Sequence, residues 1–173
     1  ADQTVGGLVQ TDYWNYRMFK TISENNKKPV SPGTLGLLVN EMEHPLFKSF
    51  PTDKHTNWQW ASIVHESRPL VMDKMPQGYR PLVQVIDNVE RNHRLALFFE
   101  TNVGKGKVFV CMSDLRETQQ YPESRHLLRS ILEYMQSEDF KPATTLLPDD
   151  FGRFFTEKAQ ESNVSELRNI SYD

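Results

Sequence analysis

The chain has 173 residues and a mass of 20.2 kDa, which suits one domain, or one domain with an appendage. Apolar residues at 38% and aromatics at 11% suffice for a sizeable core and exclude a disordered chain. A net charge of -3 with a pI near 6.0 gives no electrostatic footprint for nucleic acid, and the single cysteine excludes an internal disulfide or a cysteine-built zinc site.

The opening "ADQTVGG" has no initiator methionine, no charged n-region and no leading strand, and it reads as a start inside a longer polypeptide. Residues 11 to 25 carry Trp14, Met18 and Ile22 at four-residue spacing, which predicts a helix with Thr11 as its cap. "KKPVSPG" breaks the chain, and Lys27 and Lys28 read as solvated loop charges. "LGLLVN", 35 to 40, predicts a buried strand, and "HPLFKSFP" at most one helical turn.

Thr56 is the expected N-cap of a helix running to about Glu66, with Trp60, Ile63 and Val64 on its buried face. "PLVMD" (69–73) and "LVQVIDNV" (82–89) predict strands. "RLALFFETNV" and "KVFVCMSDL" predict two more, joined by a hairpin at Gly104-Lys105-Gly106. Pro122 opens a helix to about Ser137, with Leu127, Leu128, Ile131, Leu132 and Met135 as its expected buried stripe. A weaker helical stretch follows in "DDFGRFFTEKAQES", and then a polar end. No apolar run approaches membrane-spanning length. Strands mixed with amphipathic helices predict an α/β domain of three layers, with flanking helices on both faces of the sheet. The hairpin requires the sheet to be mixed. The expected division is an α/β domain over 1–140 and a helical extension over 141–173.

Chemistry-bearing patterns are sparse. Asn40-Glu41 at a strand end resembles the way barrel glycosidases present a carboxylate, but a second carboxylate and a barrel of about 250 residues are needed. His44, His55, His65, His93 and His126 contain no pair at helical metal-site spacing, so no metal ligand is assigned. "GKGK" lacks the full phosphate-loop pattern. Cys111, inside an apolar strand, reads as a packed thiol rather than a nucleophile. The densest polar cluster is "VIDNVERNHR", where Asp87, Asn88, Arg91, Asn92 and Arg94 could meet sugar hydroxyls. The plainer expectation is that Asp87 and Asn88 hold turn amides while the arginines pair with carboxylates. In "HTNWQW", residues two apart on a helix diverge by about 200°, so Trp58 and Trp60 cannot form one stacking platform. With Trp60 in the core, Trp58 is the exposed ring. His55 and Asn57 flank it as ligand or interface candidates.

Three segments matching in order, "HPLFKSFPTDKHTNWQW", "RPLVQVIDNVERNHRLALFFETNVGKGKVFVCMSDL" and "SRHLLRSILEYM", together resemble a known region. It is the one that trails the catalytic portion in large bacterial glycoside hydrolase family 2, β-galactosidase-like proteins. The resemblance covers roughly residues 8 to 140. It implies a class I glutamine amidotransferase-like, flavodoxin-related fold, and a non-catalytic accessory role in carbohydrate degradation. Cys111 lacks the amidotransferase glycine elbow, and the glycosidase carboxylates belong to a barrel, so no catalytic residue carries over. The implied partners are the other domains of the parent glycosidase, with no cofactor, no nucleic acid and no membrane insertion, in a periplasmic or extracellular setting. Two alternatives stand beside this reading: a carbohydrate-binding module built on Trp58, and an independent hydrolase built on Cys111 with a histidine.

Overall fold

The structure, a computed structural model, describes residues 37–55, 57–65, 67–87 and 93–157. The expected helix over 11–25 lies outside these residues, as do Thr56, Glu66, Asn88, Arg91, Asn92 and everything after 157.

The longest strand, Arg94–Val103, organises the sheet. In chain order the strands are β1 (Leu37–Val39), β2 (Leu70–Val71), β3 (Val83–Ile86), β4 (Arg94–Val103), β5 (Gly106–Cys111) and β6 (Thr145–Leu146). The helices are α1 (Ala61–His65), α2 (Pro122–Gln136) and α3 (Pro148–Thr156), with 3-10 turns at Pro45–Phe47 and Trp58–Trp60. β2, β3, β5 and β6 all pair with β4, while β1 pairs with β3. Phe98 is opposite both Val83 and Cys111, and Asn102 is opposite both Lys107 and Thr145. β3 and β6 therefore share one edge of β4, and β2 and β5 share the other. Only β4–β6 is parallel among the described pairings, so the fold is mixed α/β on a six-stranded mixed sheet.

Local chemistry explains the lengths. Leu95 to Phe99 are all buried, and a bulge opposite Val83 and Gln84 lets β4 place them against cover on either side. The hairpin closes through Gly104, whose φ of 57° is the left-handed conformation a glycine adopts at little cost. β3 is shorter than the expected 82–89. β2 is shorter than the expected 69–73, because Met75 N–H turns back onto Met72 C=O just after it.

Helices lie on both faces. Phe98 meets Trp60 (ring centroids 6.0 Å), and Glu100, two residues on, accepts a hydrogen bond from Tyr134 of α2. Phe99, on the opposite face, meets Phe154 of α3. Trp60, Ile63 and Val64 are fully buried, as their spacing predicts. Trp60 lies edge-on to Phe47 and Phe50 and donates its indole N–H to Thr52 Oγ1 at 2.7 Å.

Two expectations need correcting. The cap before Trp58 is Asn57, whose Oδ1 accepts Gln59 N–H at 3.1 Å, and the first turn is 3-10. On α2 the buried face runs through Ser124, Leu127, Ser130, Ile131 and Tyr134, while Leu132 and Met135 are exposed and Leu128 is half-buried. The serines explain the rotation. Ser130 donates to Leu46 C=O and Ser124 meets Ser62 at 3.2 Å, so small hydroxyl residues bring α2 close where larger side chains would hold it off. Beyond 140, the chain adds β6 to the sheet and Phe154 to the core before the described residues end.

Trp60→Ala should lower stability to urea by about 3–5 kcal/mol, the range for large aromatic deletions in cores, whereas Leu132→Ala should change it by less than about 1 kcal/mol. Equal losses in the two variants would show that α2 is turned differently.

Candidate functional site

The two clusters singled out in the sequence are linked through β1. His55 bridges Leu38 of β1, and Leu38 is opposite Gln84 of β3. His55 is thus two strand spacings, roughly 10 Å, from β3. β3 then runs to Ile86 and Asp87, and Ile86 is opposite Arg94 at the start of β4. The face of β1 and β3 that carries Leu37, Val39, Val83 and Val85 is buried. The other face presents Leu38 and Ile86, which are 37% and 41% exposed. Trp58 follows His55 by three residues and is 91% exposed, against complete burial of Trp60. Asn57 is held as a cap and also donates from Nδ2 to Asp53 at 3.0 Å.

The described residues that flank 88–92 are committed to one another. Asp87 is buried and accepts the His93 amide at 3.0 Å, as expected for a turn-holding carboxylate. Asp73 accepts the Arg94 amide at 2.8 Å, and its other oxygen lies 2.6 Å from His93 Nδ1. Among the described residues the Arg94 guanidinium pairs with no carboxylate, contrary to the expectation for the arginines of this cluster. It donates to the carbonyls of Met72, Met75 and Tyr79, pinning the 72–79 loop beside β4. A planar five-donor fork is suited to three divergent carbonyls. Asn88, Arg91 and Asn92 lie outside the described residues. Leu38, Ile86 and Asp73 were missed from sequence. Leu38 and Ile86 sit within apolar runs, and only Gln84, on the same face, hinted that this side is wetted.

A second polar cluster lies inside the fold. His44 Nδ1 accepts Leu46 N–H at 3.3 Å, which leaves Nε2 facing Glu100 Oε1 at 3.9 Å. Tyr134 O–H donates to the same carboxylate at 2.7 Å, and Tyr79 O–H donates to the Glu100 carbonyl at 3.0 Å. Burial pushes both phenols up. Burial also lowers His44 below 6.5, outweighing the charges of Glu100 and Glu41. Every polar atom named here except His44 Nε2 and Glu100 Oε1, which face each other at 3.9 Å, has a close partner, so the cluster reads as core wiring. Cys111 donates toward Ser113 C=O at 3.3 Å, and burial raises its thiol to about 11. Such a thiol is almost wholly protonated near neutrality, the reverse of what a nucleophile needs. Among the described residues no group of three His, Cys, Asp or Glu is placed to hold a metal ion, and no helix is long and apolar enough to cross a membrane.

These shifts make two measurable statements. A histidine lowered by burial takes its proton in the unfolded chain first. Its contribution is therefore complete above about pH 6.5 and is lost as pH falls below that value. The urea midpoint should fall between pH 7.5 and 5.5, and His44→Asn, which retains a cap acceptor, should flatten that window. Iodoacetamide should label Cys111 at pH 8 at least about tenfold more slowly in the folded protein than in urea. Equal rates would place the thiol in an activated setting.

No curated protein matches this sequence. One family model matches residues 1–156, so it spans both clusters, the Glu100 network and all six described strands. On that match the chain belongs to the family described as a domain of unknown function, DUF8487.

Proposed function

We propose that this chain is a non-catalytic accessory domain of a multidomain, β-galactosidase-like glycoside hydrolase, and that it docks onto neighbouring domains through the surface bearing Trp58. The observation that carries the docking half is the 91% exposure of Trp58, three residues after His55 bridges Leu38 of β1. A solvent-facing indole is typical of an interface core, where aromatic residues anchor binding. The glycosidase half rests on the three segment resemblances in the sequence. The chemistry supports a non-catalytic role: burial holds the Cys111 thiol in its protonated form, and the half-buried carboxylate of Glu100 is held by Tyr134.

The finer fold reading, a class I glutamine amidotransferase-like domain, belongs to the same proposal. Helices on both faces and the parallel β4–β6 pair support it. The other described pairings are antiparallel, so a longer parallel core would have to draw on residues outside those described.

Exposure of Trp58 also favours the carbohydrate-binding alternative, and one titration separates the two. Galactosides and oligosaccharides added to the chain should leave tryptophan fluorescence unchanged, since a single ring supplies little affinity. Saturable sub-millimolar binding that disappears in Trp58→Ala would replace docking with sugar recognition. In the native polypeptide, sequencing should find a barrel with paired glutamates. Trp58→Ala there should weaken assembly or thermal stability while kcat on aryl β-galactosides stays within about twofold. A native polypeptide lacking that barrel would sink the glycosidase half.

A further inference from the structure

A cleft of about 520 Å³ lies between the end of β5, the chain before β2 and helix α2. Its floor is apolar, from Leu115, Met112, Leu128 and Ile131, and two arginines, Arg68 and Arg116, stand at it. Both arginines are exposed, and among the described residues neither guanidinium is paired with a carboxylate. One acid, Asp114, also lines the cleft, and its Oδ1 is held by its own turn, accepting the amides of Arg116 and Glu117. Unpaired positive charge over an apolar floor is unusual on a chain of net charge -3.

The apolar surface continues past the cleft. Leu128 lines it, and Leu132 and Met135, four and seven residues further along α2, are 49% and 38% exposed. This spacing draws a stripe about 10 Å long on the face that α2 does not bury. Arg125, three residues before Leu128, adds a third cation at its start, with one N–H given to Gln119 C=O.

We propose that the cleft and this stripe form a docking groove for an acidic amphipathic helix of a partner protein. The partner's apolar residues, at i, i+3 or i+4, and i+7, would lie along Leu128, Leu132 and Met135, and its carboxylates would meet Arg68 and Arg116. A carboxylate is the chemistry that a free guanidinium fork recognises, bidentately where geometry allows. A small organic acid would occupy the cleft alone and would leave the Leu132–Met135 continuation unexplained. The groove shares no residue with the surface that bears Trp58, so the inference does not depend on the glycosidase reading.

The test uses the whole chain and a fluorescein-labelled helical peptide of about 14 residues, with leucines on one stripe and glutamates elsewhere. Anisotropy should show saturable micromolar binding that weakens at least about tenfold in Arg68→Gln/Arg116→Gln. It should weaken by a similar factor in Leu132→Asp, and also between about 50 and 500 mM salt. All three positions are exposed, and an unchanged circular dichroism melt will show that each variant folds. Three results would each overturn the proposal: affinity unchanged in the double arginine variant, equal affinity for the same peptide with lysine in place of glutamate, or decanoate displacing the peptide at equal concentration. The last would assign the cleft to a small amphiphilic acid.

Discussion

Strand β4 is hydrogen-bonded along both edges and covered on both faces, and nearly everything else is placed by that constraint. A segment with no free edge must present apolar residues to both sides and satisfy its amides with neighbours. Four strands supply those partners. The bulge beside Val83 adjusts how Leu95 to Phe99 reach the two layers of cover. The aromatic cluster of Trp60, Phe47, Phe50 and Phe98 fills one layer, while Phe154 closes the other. Polar side chains are then confined to the strand's ends, where Arg94 holds the 72–79 loop and Glu100 holds Tyr134.

How much of this was legible depended on whether the signal was local. β4, the hairpin at Gly104 and the burial of Trp60, Ile63 and Val64 follow from contiguous patterns, and the structure has them where the sequence puts them. The buried face of α2 was legible only in part. Leu127 and Ile131 are where periodicity puts them, but a count of apolar residues favours Leu132 and Met135 over Ser124 and Ser130. The serines win because their hydroxyls find partners on Leu46 and Ser62 and because they are small. Hydrophobic periodicity does not see close approach. β6 was missed for a similar reason: two residues in "TTLLP" form a strand only because β4 leaves an edge open beside them.

The candidate site was legible as separate pieces rather than as a place. Trp58 could be set against Trp60 from helical geometry alone, although the segment proved to start as a 3-10 turn capped by Asn57. What sequence could not supply was that β1 bridges the two clusters, setting His55 on one side and β3 on the other. Nor could it distinguish Arg94, spent on three carbonyls, from Arg68 and Arg116, which carry no such obligation. Arginine's role is written in its surroundings, and those arise from contacts far apart in the chain.

The parallel pairing of β6 with β4 bears on the order in which the chain can assemble. The β4–β5 hairpin closes across two residues, whereas Thr101 reaches Thr144 across 43 positions. Loop closure over that distance is entropically slower and must wait for α2 to be made and folded back. On a ribosome, the sheet would therefore stand for a time with the β6 edge unpaired and Phe99 without Phe154 over it. That interval, rather than the finished fold, is when the protein is most exposed to edge-to-edge aggregation.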